Sequence, residues 1–102
     1  MYKIEVTFLA DKELEEIILY ISDHLKNPTA ATHFIDEVEA CYARLKNDPE
    51  MYEYCRDEKL FKLRYRKVAI KNYILIYRID EMSKTVYILH FFYGRRNYQK
   101  LI

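Results

Sequence analysis

The sequence has 102 residues, of which 51% are hydrophobic and 32% charged, with a formal net charge of +1. This length predicts a single domain over residues 1–102, and the composition is too apolar for a disordered chain. Because no apolar run approaches the roughly 18 residues of a membrane span, and the first residues lack the pattern of a signal peptide, we expect a cytoplasmic protein with no membrane partner.

The two parts of the chain carry opposite charge. Residues 1–58 contain six Lys or Arg against fourteen Asp or Glu, a net charge of −8, whereas residues 59–102 contain eleven against two, a net charge of +9. This separation of charge produces an electrostatic field that steers an anionic partner towards one end of a molecule. The alternative is that the two parts neutralise each other within one fold.

The first part of the chain predicts one strand and two helices. Apolar residues alternate from Tyr2 to Phe8, as in a half-buried strand. Leucine and isoleucine then recur at helical spacing behind an acidic start, which predicts a helix from about Asp11 to about Lys26. Asn27-Pro28 ends that helix and begins a second one, which stops near Asn47. The inward stripe predicted for the second helix is Ala31, Phe34, Val38, Cys41 and Leu45.

In the remaining chain, apolar residues recur with a period of two, and this pattern predicts three strands. They span about Phe61 to Ala69, about Tyr73 to Asp80, and about Thr85 to Tyr93, where Gly94 ends the last. The middle strand is almost wholly apolar, so we expect it at the centre of the sheet. The predicted fold class is α+β, with the order β-α-α-β-β-β and an antiparallel sheet packed against a helical hairpin.

Cationic side chains in this basic part are candidates for binding an anionic target. Alternation in the strand that begins at Phe61 places Lys62, Arg64 and Arg66 on one face, at a spacing that resembles the phosphate spacing of single-stranded nucleic acid. The alternative is a solvated edge strand kept soluble by its cations. The other lysines in or near this part are Lys67, Lys71 and Lys100.

The C-terminal segment Tyr93-Gly94-Arg95-Arg96-Asn97-Tyr98 places two guanidiniums and two phenols around the only glycine. Guanidiniums bind phosphate bidentately and tyrosine rings stack on bases, so the segment is a candidate nucleic-acid interface. RNA cleavage by the 2′-hydroxyl needs only a base, an acid and cations, which Tyr, Lys and Arg could supply without a metal.

Other catalytic and metal-binding patterns are missing from the sequence. With one glycine there is no phosphate-binding glycine loop, and there is no nucleophile elbow. His90 could act as a general acid or base, but alternation puts it on a face with Val86, Ile88 and Phe92, which favours packing. The three His and two Cys lack the spacing of a zinc site, so we predict no metal and no cofactor.

Three segments occur in order along the predicted fold. They are Asn27-Pro28-Thr29-Ala30-Ala31-Thr32-His33-Phe34, then Tyr65-Arg66-Lys67 leading to the run from Asn72 to Asp80, and the ending from Tyr93 to Tyr98. Together they resemble the RelE/ParE superfamily of toxins from bacterial type II toxin-antitoxin systems over nearly the whole chain. The resemblance implies a growth-inhibiting toxin that forms a hetero-oligomer with a cognate antitoxin.

The resemblance implies one of two targets. RelE-like members cut mRNA on the ribosome without a metal, which implies catalytic roles for Lys67, Arg95, Arg96 and Tyr98, beside the target-binding candidates Lys62, Arg64, Arg66, Lys71 and Tyr93. ParE-like members inhibit DNA gyrase. We slightly favour the ParE-like branch because Ile74 stands where a RelE-like arginine usually follows the tyrosine of the central strand, and because the Asn-Pro-x-x-Ala helix start is intact. A nucleic-acid-binding or interaction domain without toxicity is the third interpretation.

Overall fold

The computed structural model describes residues 1–102, apart from the side chain of Leu101. Two helices pack on one face of a four-stranded sheet, and a short helix and the C-terminal segment lie on the other. In the described part of the chain, no helix is long and apolar enough to cross a membrane. The elements are β1 (Lys3–Val6), α1 (Phe8–Leu19), a π-helical turn (Tyr20–His24), α2 (Pro28–Asn47), α3 (Glu58–Lys62), β2 (Arg66–Ile70), β3 (Tyr73–Asp80), β4 (Thr85–Tyr93) and a 3₁₀ helix (Tyr98–Leu101).

Helix α1 begins three residues earlier than predicted, because Thr7 caps it. The Thr7 side chain accepts a hydrogen bond from the Ala10 N–H at 3.2 Å. Phe8 therefore belongs to the helix and not to the first strand, and its side chain is 78% exposed. The predicted end near Lys26 is also wrong in part, since α1 stops at Leu19 and a π-helical turn follows.

Helix α2 forms where the sequence predicts it. The Asn27 side chain accepts from the Ala30 N–H at 3.0 Å, and Pro28 occupies the first turn, where its missing N–H does no harm. The helix ends at Asn47. The predicted inward stripe is confirmed, because the buried residues of α2 are Ala31, Phe34, Val38, Cys41 and Leu45.

The sheet has the strand order β1-β4-β3-β2, so β3 has a strand on each side, as its apolar sequence predicts. The α+β class and the helical hairpin are confirmed. One strand pair differs from the prediction, because β1 runs parallel to β4 while the other two pairs are antiparallel. Only strands joined by a tight hairpin must be antiparallel, and three helices and two strands separate β1 from β4 along the chain.

The strand predicted from Phe61 to Ala69 is wrong in its first half. Asp57 caps a short helix there, accepting from the Leu60 N–H at 3.2 Å, and the Leu60 side chain is fully buried. Arg64 then takes the left-handed conformation, with φ 62°, and ends the helix. Lys62 lies in α3, Arg64 in the turn and Arg66 in β2, so the predicted row of three cations on one strand face does not exist.

A β-bulge in β4 changes which face its side chains occupy. Ile76 of β3 pairs with His90, but Tyr77 pairs with Ile88, so Leu89 is an extra residue in β4. Alternation reverses there, and Phe91 joins Ile88 in the core beneath the helices. The prediction that His90 shares a face with Val86 and Ile88 is therefore wrong, whereas its pairing with Phe92 is right, since the two rings stack.

Apolar residues pack on both faces of the sheet. The main core lies between the sheet and the hairpin of α1 and α2. A second, smaller core lies on the opposite face, where α3 and the 3₁₀ helix cover the strands, and the Lys59 ammonium donates to the Ile102 carbonyl. The buried members of this second core are Cys55, Leu60, Ile76, Phe92 and Tyr98.

Candidate functional site

A groove of about 570 Å³ separates the first helix from the ends of the two inner strands. We call it the α1 groove. Its helical wall is one stripe of side chains from α1 and the π-helical turn, formed by Glu13, Glu16, Ile17, Tyr20 and Leu25. Its other wall includes Tyr73, Phe91, Phe92, Tyr93 and Arg96.

Glu13 joins the two walls of the α1 groove. Strand β1 ends at Val6, so the part of β4 beyond Ile88 has no neighbouring strand on that edge. The Glu13 carboxylate takes the place of that strand, accepting from the Phe91 N–H at 3.2 Å. The same oxygen lies 3.3 Å from Nδ1 of His90. A side chain from α1 therefore satisfies a backbone donor that the short β1 leaves free.

Aromatic rings stack in a row beside the groove. His90 stacks on Phe92 with ring centroids 4.9 Å apart, and Phe92 stacks on Tyr98 at 5.8 Å. The Arg96 guanidinium lies 6.0 Å from the Phe92 centroid, at the limit of a cation–π contact. Tyr93 meets Tyr73 edge-on at 5.7 Å. The structure thus brings two predicted site residues, Arg96 and Tyr98, into contact with Phe92, while a third, Tyr93, contacts Tyr73.

Tyr98 is part of the second core, and its phenol is not exposed to solvent as a binding or catalytic group would be. Its side chain is only 8% exposed and packs on Phe92. Burial raises the pKa of the Tyr98 phenol, and the nearby Cys55 and Asp57 raise that pKa further. The phenol therefore stays protonated at neutral pH.

Two of the predicted lysines, Lys67 and Lys71, lie away from the α1 groove. Lys67, on β2, lines a separate cavity of about 650 Å³, with its Nζ 3.9 Å from the Glu53 carboxylate. Lys71, in the turn between β2 and β3, reaches across the sheet edge to α2, with its Nζ 3.7 Å from the Glu37 carboxylate.

The remaining predicted cations are dispersed. Arg66 donates to the backbone carbonyls of Tyr52 at 2.6 Å and Glu50 at 3.3 Å, and its guanidinium covers the Tyr54 ring at 4.0 Å. Lys62 pairs with Glu58 on the exposed side of α3 at 3.1 Å. Arg64 and Arg95 are exposed. Across the described residues, no group of three His, Cys, Asp or Glu side chains is placed to hold a metal ion.

Sequence reasoning missed the helical wall of the groove. Glu13, Ile17 and Tyr20 are spaced as neighbours on one side of a helix, a signal that was available. In the sequence, the acidic residues there predict only the start of a helix. No sequence signal indicated the bulge at Leu89, which turns His90 towards Glu13.

Comparison with known proteins identifies the family of this fold and site. A family model for the ParE toxin of the type II toxin-antitoxin system parDE matches residues 4–98. The chain belongs to the ParE toxin family. The matched range runs from β1 to Tyr98, so it includes both cores and the α1 groove. The resemblance seen in the sequence is confirmed, and this ParE-family protein is a toxin of a type II toxin-antitoxin system. No curated protein sequence gives a match.

Solved structures share the fold of this ParE-family toxin. The chromosomal ParDE toxin-antitoxin system of P. aeruginosa matches with a TM-score of 0.71 and 16% identity, covering 91% of this chain and 96% of that one. A metal-bound toxin from Helicobacter pylori matches with a TM-score of 0.68 and 16% identity over 100% of both chains. The toxin-antitoxin complex RelBE2 from Mycobacterium tuberculosis matches with a TM-score of 0.62 and 22% identity, covering 90% and 96%. At these identities the likeness establishes the fold alone.

Proposed function

We propose that this ParE-family toxin inhibits DNA gyrase and does not cleave ribosome-bound mRNA. One observation carries the proposal, namely the apolar character of the sheet face on which Tyr98 lies. Ile74, Ile76 and Phe92 occupy that face and pack in or against the second core. Ile74 stands where the RelE-like pattern has an arginine. Lys67 lines a cavity together with Ile74, but its Nζ lies 3.9 Å from the Glu53 carboxylate.

RNA cleavage by the 2′-hydroxyl needs a base, an acid and a cation around one phosphate. The residues that the RelE-like pattern assigns to these roles are brought together only in part. Arg96 and Tyr98 both contact Phe92, whereas Lys67 lies on β2. Lys67 lines the cavity beside β2, whereas Arg96 lines the α1 groove. Tyr98 is buried against Phe92, and its raised pKa makes it a poor base at neutral pH. The ion pair of Lys67 with Glu53 and the burial of Tyr98 support a toxin that acts by binding.

A gyrase inhibitor needs an exposed protein-binding surface and no converged catalytic groups. The hairpin of α1 and α2 offers such a surface, and its Asn27-Pro28 start is the feature by which the sequence resembles the ParE-like branch. The α2 helix is 20 residues long and is amphipathic, with five buried residues on one side and charged residues on the other.

Two assays with purified toxin test the proposal. In a gyrase supercoiling reaction we expect inhibition that rises with toxin concentration, and in a translating ribosome system we expect intact mRNA. Tyr98→Phe keeps the ring stack on Phe92 and removes only the hydroxyl, so gyrase inhibition should remain within about twofold. The Lys67→Ala variant should behave in the same way.

The opposite pattern overturns the proposal. If ribosome-bound mRNA is cut, and Tyr98→Phe or Arg96→Ala abolishes the cut, the toxin is a RelE-like nuclease. If neither assay responds and expression does not arrest growth, the chain acts as a binding domain without toxicity.

A further inference from the structure

In the folded protein, the charge division of the sequence becomes a division between two faces. The helical hairpin, residues 8–47, contains eight Asp or Glu against four Lys or Arg, a net charge of −4. On the opposite face of the sheet, residues 56–64 around α3 and residues 95–100 of the C-terminal segment cover the second core. Together these two segments contain seven Lys or Arg against two Asp or Glu, a net charge of +5. We call them the basic layer.

The two segments of the basic layer form one surface. Leu60 of α3 and Tyr98 of the 3₁₀ helix are both buried in the second core. The Lys59 ammonium joins the segments by donating to the Ile102 carbonyl. All the cations of the layer are exposed, and they are Arg56, Lys59, Lys62, Arg64, Arg95, Arg96 and Lys100. Cations from separate parts of the chain therefore meet solvent on one side of the molecule.

The fold neutralises few of these cations. Lys62 pairs with Glu58 at 3.1 Å. Five others take part in none of the ion pairs formed by the described residues, and they are Arg56, Arg64, Arg95, Arg96 and Lys100. The second acidic residue of the layer, Asp57, is engaged in accepting from the Leu60 N–H at the start of α3. Because like charges on one surface repel each other, an anionic ligand stabilises this arrangement.

We propose that the basic layer binds the phosphate backbone of double-stranded DNA. Exposed Arg and Lys side chains neutralise phosphates and release the counterions that surround DNA, which supplies the free energy of non-specific binding. The acidic hairpin on the opposite face is repelled by the same phosphates, so the toxin binds DNA in one orientation. The DNA contact itself does not depend on the proposed function. If gyrase is the target, this orientation leaves the hairpin facing away from the DNA and free to contact the enzyme.

The aromatic rings of this region favour a duplex over a single strand. Proteins that bind single strands stack bases on accessible aromatic rings. Here Phe92 and Tyr98 are only 5% and 8% exposed and stack on each other. Phe61 of α3 is exposed, but its ring packs edge-on against Tyr54 at 5.5 Å between centroids. A duplex presents its phosphates on the outside and is bound without stacking.

The density of charge favours DNA over an acidic protein. Seven of the 15 residues in the basic layer are Lys or Arg. The centres of protein–protein interfaces are depleted in charged residues, whereas surfaces that bind DNA are strongly positive. The exposed cations of the layer therefore suit a polyphosphate better than a protein surface.

The salt dependence of binding tests the proposal. Purified toxin without antitoxin would be titrated into a fluorescently labelled duplex of mixed sequence, and binding followed by anisotropy at increasing salt. We expect a Kd of roughly 1–100 µM at physiological salt, the range of non-specific DNA binding. The logarithm of Kd should rise with the logarithm of salt concentration with a slope of about 4–5, since each of about five phosphate contacts contributes about 0.9. One labelled strand alone should bind more weakly and with a shallower slope.

The chain offers a matched control for the variants. Arg64 and Arg95 belong to the basic layer, whereas Lys46 is an exposed cation on α2 of the acidic hairpin. Arg64→Gln and Arg95→Gln should each lower the salt slope by about 1, and the double variant by about 2. Lys46→Gln removes the same charge from the molecule and should leave the slope unchanged. Thermal unfolding of each variant shows whether the fold is intact, and if Arg64→Gln is unfolded, Arg95→Gln decides the question.

Four results would overturn the inference. The first is no binding of the duplex even at low salt, and the second is an equal loss of slope in Lys46→Gln. The third is tighter binding of the single strand that is lost in Phe61→Ala, which assigns the layer to stacked bases. The fourth is displacement of the duplex by poly-glutamate at equal charge concentration, which assigns the layer to an acidic protein.

The DNA assay is independent of the gyrase assay. Because it contains no gyrase, a toxin that fails to inhibit gyrase still gives an interpretable DNA result. A toxin that inhibits gyrase but binds no DNA overturns this inference alone.

Discussion

Arg64 holds a backbone conformation that suits glycine better than arginine. It follows the last turn of α3 with φ 62°, where its N–H donates to the Phe61 carbonyl at 2.9 Å. A side chain in the left-handed region crowds the backbone, at a cost of roughly 1 kcal/mol. We therefore expect Arg64→Gly to raise the free energy of unfolding by about 1 kcal/mol, measured by urea denaturation.

The control for Arg64 is Arg64→Ala, which removes the guanidinium but keeps the crowded Cβ. Its stability should stay close to that of the unmodified toxin. An equal gain from alanine would show that relief of charge repulsion, and not relief of backbone strain, is the cause.

Tyr42 and Tyr77 are two buried phenols with opposite hydrogen-bond status. The Tyr77 hydroxyl donates to the Pro49 carbonyl at 2.7 Å, whereas the buried Tyr42 hydroxyl has no partner among the described residues. Burial raises the pKa of both phenols. We expect Tyr77→Phe to lower the free energy of unfolding by about 1–2 kcal/mol and Tyr42→Phe to leave it unchanged or raised, as seen by thermal denaturation. A loss of similar size from both variants would mean that the Tyr42 hydroxyl is satisfied in solution.

Among the elements, α2 and the two inner strands could be predicted from sequence because local chemistry and tertiary packing agree there. Asn27 caps α2, Pro28 fits its first turn, and the apolar period matches the buried stripe. Strand β3 is apolar throughout and lies inside the sheet. At such positions no long-range contact is needed to choose the element.

Helix α3 could not be found from the hydrophobic pattern alone. Phe61, Leu63 and Tyr65 alternate as in a strand, but Asp57 and Leu60 also fit a capped helical turn, and burial of Leu60 in the second core favours the helix. The candidate site could not be predicted from the hydrophobic pattern either. Its cations were assigned to one face through an alternation that the chain does not follow there, and the groove depends on a bulge and a π-helical turn that no local signal predicts.

The contact between α1 and the free edge of β4 depends on one carboxylate. Glu13 accepts from the Phe91 N–H where β1 has already ended. Glu13→Ala leaves that donor without a partner in a largely buried position, so we expect a loss of about 1–3 kcal/mol in the free energy of unfolding. Glu13→Gln keeps an acceptor oxygen and should lose less. Hydrogen exchange at the Phe91 amide provides the local measurement, and an exchange rate unchanged in Glu13→Ala would contradict the role assigned to Glu13.

For the whole molecule, the division of charge along the chain is partly neutralised inside the fold. Of the four ion pairs between lysines and carboxylates among the described residues, three join a carboxylate from residues 1–58 to a cation from residues 59–102, as in Lys71 with Glu37 and Lys67 with Glu53. The alternative that the two parts neutralise each other within one fold is therefore confirmed in part. Cations outside these ion pairs, including Arg64, Arg95 and Arg96, lie around α3 and the C-terminal segment. They are exposed there and accessible to an acidic partner.

The two cores should differ in how readily they open, and the two cysteines report on them separately. Cys41 lies in the main core and Cys55 in the second core, and both side chains are at most 1% exposed. The second core is covered only by α3, five residues long, and by a 3₁₀ helix of four residues at the C-terminus. Short terminal elements with few buried apolar residues open at lower free energy than a main core.

We therefore expect a thiol reagent to modify Cys55 at least about tenfold faster than Cys41 under native conditions, since a difference of ~1.4 kcal/mol in opening free energy suffices. Burial raises the pKa of both thiols, so thiolate reactivity alone does not favour Cys55 strongly. The single-cysteine variants Cys41→Ala and Cys55→Ala, followed by mass spectrometry, give each rate. Equal rates that match global unfolding would show that the second core opens only with the whole fold. Faster modification of Cys55 would show that Tyr98 and the apolar sheet face beneath it become accessible while the helical hairpin and the α1 groove stay folded.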